Sequence, residues 1–329
     1  MRTAVAVALV TVLAACSSSS HAVTPSSPAT TTSPATATGP CTHALAGVGT
    51  TRALSLAIDG HARVVRVHLP TRDSGRVALP LVLNLHGSDS NALQQEALSG
   101  MDATADQDTF LAVYPQALLP AGIGFDWNVP DVPLRGGKAV PPDAADDVSF
   151  LTHLVTELES RYCIDPRRVY ATGFSGGARM ASQLGCDAST VFAAIAPVTG
   201  LRFPTPCNAT RAVPVVTFHG TADRTDPYAG NGEAYWTYSV VDAATRWAVK
   251  DGCTGAPTTS RPAGSVTFTL YARCADGATV GLYTIAGEGH EWPGGPKLPR
   301  AVTRLLGAQS DAINADDVMW QFFRLRVLP

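Results

Sequence analysis

A serine, an aspartate and a histidine can together attack a carbonyl carbon, and the chain carries candidates for all of them at Ser175, Asp223 and His290. A serine hydroxyl is a weak nucleophile at neutral pH. It needs an imidazole to take its proton and a carboxylate to orient that imidazole and stabilise its cation. Ser175 lies in Gly173-Phe174-Ser175-Gly176-Gly177, but with 29 glycines in 329 residues the G-x-S-x-G pattern arises by chance too readily to identify a nucleophile alone. Its flanks are more specific. "RVYATGF" before it is β-branched and aromatic, whereas "GARMASQLG" after it is rich in helix formers and closes on Gly185. Strand, tight turn, helix is the order a nucleophile elbow requires, with glycine where a side chain would clash and a helix N-terminus aimed at the serine.

The other two residues follow strand-like runs. "VPVVTFHG" leads to Asp223, and "VGLYTIAG" leads to His290 in "EGHEWPGG". Asp226, in the same loop as Asp223, is the alternative acid. An oxyanion needs backbone N–H donors, and the pattern assigns the Gly176 amide and, by position after "LVLNLHG", the Ser88 amide. His86 and His219 also end strands, in "LHG" and "FHG", and are read as braces for the backbone. Trp127, in a loop rich in glycine, proline and aspartate, and Trp292, beside His290, are candidate substrate contacts, with core packing the alternative and, for Trp292, fixing the turn that presents His290. No Cys/His cluster has metal-ligand spacing, so neither a metal nor another cofactor is expected.

These residues must be positioned by the elements around them. Strand-like runs begin at Ala62, Leu79, Thr109, Arg168, Phe192, Val213, Ser265 and Val280, and several are continuously apolar, as for parallel strands covered on both faces. Helical patterns begin at Asp146, Val240 and Asn314. In the first, Val148, Leu151, Leu154, Val155 and Leu158 share one stripe behind an acidic opening turn. Alternating strands and helices predict an α/β fold, a doubly wound and mostly parallel sheet in a single domain spanning 41–329.

Behind Met1 come a positive charge at Arg2, an apolar run from Thr3 to Ala15, and Cys16; "LAAC" is similar to a bacterial lipobox, so 1–16 is expected to be a lipoprotein signal with Cys16 the lipid-attachment site. Cleavage near Ala15 as an ordinary secretory signal is the alternative. Residues 17–40, rich in Ser, Thr, Pro and Ala, have almost nothing to bury and are expected to be a disordered tether. A formal net charge of -3 with scattered basic residues gives nucleic acid no footprint and a membrane none beyond the N-terminal lipid. The other six cysteines suit disulfides in an exported chain; the sequence leaves fifteen pairings open, and the simplest joins near neighbours, Cys186 with Cys207 and Cys253 with Cys274, leaving Cys41 for Cys163.

Together "LPLVLNLHGSDSN", "DDVSFL", "RYCIDPRRVYATGFSGGARMA", "AAIAPVTGL", "VPVVTFHGTADRTDPY" and "GEGHEWPGG" resemble the secreted polyhydroxybutyrate depolymerase and feruloyl esterase-like family, which includes mycobacterial lipoprotein members. The resemblance covers nearly all of 41–328. It implies an α/β-hydrolase fold, a Ser175, Asp223 and His290 triad, and an ester substrate of polyester, feruloyl or acetyl type. Where the family often reads D-x-x-V-P-Y, this chain has Asp226 in place of the apolar residue. Acyl transfer by the same triad is the alternative activity, and a non-catalytic surface binding protein on the same fold is the alternative from another class.

Overall fold

The computed structural model describes residues 47–329, so Cys16, the tether and Cys41 lie outside the described residues. The strands are β1 Thr50–Ile58, β2 His61–Leu69, β3 Leu79–Leu85, β4 Leu111–Pro115, β5 Leu119–Ala121, β6 Gly124–Asp126, β7 Ile164–Phe174, β8 Ala194–Val198, β9 Val215–Gly220, β10 Thr258–Ala263, β11 Val266–Tyr271 and β12 Val280–Ile285. The helices are α1 Ala92–Ser99, α2 Met101–Asp108, α3 Asp147–Arg161, α4 Gly176–Asp187, α5 Val240–Lys250, α6 Arg300–Leu306 and α7 Ala315–Phe323.

Ten of the described strands form one sheet in the order β1-β2-β4-β3-β7-β8-β9-β12-β11-β10, and β5 and β6 form a separate hairpin. The run from β4 to β12 is parallel throughout, while antiparallel pairs finish both edges. The parallel strands are buried on both faces, and their side chains alternate between separate cores. Leu81, Leu83, Val169, Ala171 and Val215 join α3, α4 and α5 on one face. Val82, Ala112, Tyr170, Val216 and Phe218 join α2 and α7 on the other. The expected doubly wound sheet is thus present, with helices covering both faces.

Local chemistry explains the helix boundaries. Asp146 caps α3 by accepting from the Ser149 amide at 3.0 Å, and Ser239 and Asn314 cap α5 and α7 in the same way. α4 runs through Gly185 to Asp187 rather than closing on that glycine. A Cβ at Gly185 would come within 2.9 Å of Ile195 and 3.0 Å of Trp247, so the glycine allows close helix packing instead of ending the helix. Cys186–Cys207 and Cys253–Cys274 are bonded as expected, each with a sequence separation of 21. In chain-entropy terms each such bridge contributes roughly 3 kcal/mol. Cys163 is disulfide-bonded as well.

Candidate active site

The strands carrying the candidate residues run in the same direction, and β7 and β9 flank β8 while β12 lies beside β9. The loops that follow β3, β7, β9 and β12 therefore emerge along one edge of the sheet, the carboxyl edge. Ser88, Ser175, Asp223 and His290 all belong to those loops.

Ser175 joins β7 directly to α4 with φ 53° and ψ −111°. A non-glycine residue at such angles stores roughly 1–3 kcal/mol unless its surroundings hold it there. Here they do. The Ser175 amide donates to the Val198 carbonyl at 3.0 Å, and the Arg179 amide closes the first helical turn on the Ser175 carbonyl at 3.1 Å. The glycines are required by contact: a Cβ on Gly173 would lie 2.7 Å from Gly177, and one on Gly177 would lie 2.2 Å from the Leu85 carbonyl. The turn is tight because β3 runs directly beside it.

On the acid side, His290 Nδ1 is 2.7 Å from Asp223 Oδ2, and the pair is almost entirely buried. The Asp223 Oδ1 atom accepts from the amides of Thr225 and Asp226 at 2.8 and 2.9 Å. Burial alone would raise this carboxyl, but hydrogen bonds from His219 and His290, with their charge, outweigh it and hold Asp223 well below the usual carboxylate range. It is built to stay ionised. The His290 ring stands 4.8 Å, centroid to centroid, from Phe174, the residue before Ser175, and its Nε2 points away from Asp223. Asp226 is engaged elsewhere: its Oδ2 accepts from Arg179 Nη1 at 2.7 Å, a buried ion pair between α4 and the acid loop.

The loop after β3 packs against the elbow. A methyl group on Gly176 would come 2.6 Å from Ser88 Oγ and 2.9 Å from the Ser88 amide nitrogen, so the two amides expected to act together border the same small space. A set of braces absent from the sequence reading holds this loop. Asp126 Oδ1 accepts from the Asp89 amide at 2.8 Å, and Asp89 Oδ1 accepts from the Ile123 and Gly124 amides at 2.6 and 3.1 Å, latching the loop to the β5–β6 hairpin. The signal available was the polar "GSDSN", since Asp tolerates the left-handed backbone that Asp89 adopts at φ 57°.

His86 and His219 are braces, as read from sequence. Nδ1 of His86 donates to the Gly87 carbonyl at 2.7 Å and Nε2 accepts the Ala117 amide at 3.1 Å; burial pushes the ring down to about 4, so it stays neutral. Nε2 of His219 donates to the Asp226 carbonyl at 2.7 Å and lies 3.4 Å from Asp223 Oδ2, while its ring stacks on Trp236 at 5.7 Å. Both tryptophans depart from the substrate-contact reading and follow the packing alternative. Trp292 is fully buried at 0 % exposure in the core shared with α7, so it cannot touch substrate and instead anchors the loop that presents His290. Trp127 borders the cleft but is only 3 % exposed, and its indole N–H donates to the His86 carbonyl at 2.8 Å, which makes it chiefly a brace beneath the cleft.

A wound sheet of this order, with a serine on a strand-to-helix elbow and a histidine–aspartate pair on the same edge, defines an α/β-hydrolase. Residues 66–244 match the family described as Esterase PHB depolymerase, and the chain belongs to it. Feruloyl esterase B of Piromyces equi is 32% identical over 243 residues, covering 69% of this chain and 42% of that protein. The putative esterase NocK of Nocardia uniformis subsp. tsuyamanensis is 29% identical and covers 95% of this chain and 97% of its own. The chain thus spans under half of the first relative and almost all of the second. Among solved structures, the acetyl xylan esterase from Aspergillus awamori superposes with a TM-score of 0.56 at 17% identity, covering 84% of this chain and 100% of its own, a likeness of fold.

Proposed function

We propose that the protein hydrolyses carboxylic esters through an acyl-enzyme formed on Ser175. The observation that carries the reading is the buried His290–Asp223 hydrogen bond on the loop beside the strained Ser175 elbow. In this reading Ser175 Oγ attacks the carbonyl carbon as His290 Nε2 takes its proton. Asp223 holds the imidazole tautomer and stabilises the imidazolium. The amides of Ser88 and Gly176 receive the developing oxyanion, a donor pair of which each member is worth about 3 kcal/mol in such sites. His290 then protonates the leaving alcohol, and water, deprotonated by the same ring, attacks the acyl carbon and releases Ser175.

Feruloyl, acetyl and 3-hydroxybutyrate esters are the substrate classes to compare, by kcat/KM across a panel. Export through the N-terminal segment, with lipid attachment at Cys16, fits the disulfides, which persist in oxidising compartments. The test is Ser175→Ala with 4-nitrophenyl acetate. Turnover should fall by about ten-thousand-fold or more while the melting temperature stays near that of the parent. Undiminished turnover rejects the reading.

A further inference from the structure

Beside the cleft that Ser88, Gly176 and Arg179 border lies a groove of about 330 Å³, walled by Phe203, Tyr235, Trp236 and Tyr238 and reached by Arg202 and Arg246. The two spaces are neighbours: Val132 borders both, and the Arg179 guanidinium sits 5.4 Å from the centre of the Tyr235 ring. Trp236 also stacks on His219, which contacts Asp223, so the groove adjoins the acid side of the site.

The three arginines differ in their partners. Arg179 is ion-paired with Asp226 at 2.7 Å, and Arg246 with Asp242 at 2.8 Å. Arg202 instead donates from Nη1 to the neutral amide oxygen of Gln183 at 2.7 Å. Asp131, exposed at the groove rim, and Asp187 act on it only through longer-range charge, and burial pushes the guanidinium below its ordinary value. The Arg202 backbone is anchored. Its amide donates to Ser182 Oγ at 3.2 Å and its carbonyl accepts from Trp247 Nε1 at 2.8 Å, while Tyr238 Oη bonds both the amide and the carbonyl of Phe203 at 2.7 and 3.0 Å. A partly desolvated cation without a carboxylate partner, set among aromatic walls in a groove that shares Val132 with the cleft of Ser88 and Gly176, is suited to a ligand carboxylate.

We propose that Arg202 binds a free carboxylate at the end of the ester substrate's chain, so that the protein favours acid-terminated oligoesters over the same oligoesters capped as neutral esters. This inference rests on the esterase reading and deepens it. The aromatic walls would cover the chain between the scissile ester and the terminal carboxylate, and the Arg202 fork would set where along the oligomer cleavage falls.

The experiment compares dimers to tetramers of 3-hydroxybutyrate as free acids and as methyl esters, in the parent protein, Arg202→Gln and Arg202→Lys. The readout is the acid-to-ester ratio of kcat/KM within each variant, which cancels any general loss of folded enzyme. In the parent the ratio should favour the acid by about tenfold for the length that reaches the groove, as for a charge-assisted hydrogen bond, and mainly through KM. Arg202→Gln should bring the ratio to about one, with Arg202→Lys between. A parent ratio of one at every length, or a preference that survives Arg202→Gln, overturns the proposal. Turnover of 4-nitrophenyl acetate by the parent separates the two claims: its presence with a ratio of one removes only the carboxylate subsite, and its absence removes the esterase reading together with it.

Discussion

The elbow around Ser175 and the groove around Arg202 lie side by side but are built differently. At the elbow, neighbouring backbones meet so closely that a single methyl group on Gly173 or Gly177 would collide with main-chain atoms. The groove is walled by side chains from loops, and in the loop whose residues 131–132 border the groove and 132–135 the cleft, Gly136 and Gly137 have nothing within 4 Å of an added Cβ. The difference assigns tasks. Attack geometry tolerates displacements well under an ångström, so it is held by packed backbone. Selection among esters needs variable side chains, which loops supply without disturbing the sheet.

The sharpest test is at the acid loop, where Asp223 holds the His290 ring and Asp226 holds Arg179 at the edge of the cleft. Asp223→Asn should lower kcat by about a thousand- to ten-thousand-fold, because the amide no longer holds the imidazole tautomer. Asp226→Asn should act mainly on stability, lowering it by about 3–5 kcal/mol as Arg179 loses its buried partner. Measured kcat and urea midpoints for both variants decide it, and reversed effects would make Asp226 the acid.

Gly177→Ala should be next in size. Its Cβ would lie 2.2 Å from the Leu85 carbonyl, so β3 and α4 must separate, at a cost of about 1–3 kcal/mol or more and with loss of activity. Gly136→Ala meets no atoms and suffers only its backbone φ of +77°, costing about 1–2 kcal/mol with turnover of 4-nitrophenyl acetate retained. Equal losses of activity would show that the elbow is no more sterically determined than this loop.

A graded effect, spread over several pH units rather than set by one substitution, concerns Glu288 and Glu291, which flank His290. Burial, the mutual repulsion of the two carboxyls and the nearby Asp223 raise Glu288 to about 8; burial, partly offset by His290, raises Glu291 to about 7. Both lie well above their unfolded value of 4.5, so the folded state retains protons that the unfolded chain has released. The stability they contribute is complete below that unfolded value and falls as pH rises towards about 7 and 8, by at most about 1.4 kcal/mol per pH unit for each group. The melting temperature should therefore fall across that interval, and Glu288→Gln should flatten the slope. An unchanged slope would remove Glu288 from this account.

Much of this arrangement is legible in the sequence, for stated reasons. The parallel strands are buried on both faces and read as apolar runs, and α3 carries a clear stripe and cap. β10, "TTSRPA", is exposed along most of its length and exists through pairing with β11, so it has no apolar signature. α1 buries only Ala92, Gln95 and Ser99, which gives no periodic pattern. β1 does alternate at Leu54, Leu56 and Ile58, a signal the reading passed over. At the proposed site, Ser175, Asp223 and His290 are singled out in the sequence by loop position and motif. The partners of Asp226, Asp89 and Trp127 arise from tertiary packing, and so does the full burial of Trp292. Spacing along the chain cannot reveal them.

The most direct test of the central claim is covalent. The protein is treated with a fluorophosphonate, which reacts with an activated serine and loses fluoride, and the adduct is mapped by peptide mass spectrometry. A single adduct on Ser175, abolished in His290→Ala and slowed in Asp223→Asn, is the expected result. Modification at another residue, or no adduct while ester hydrolysis continues, would contradict the account.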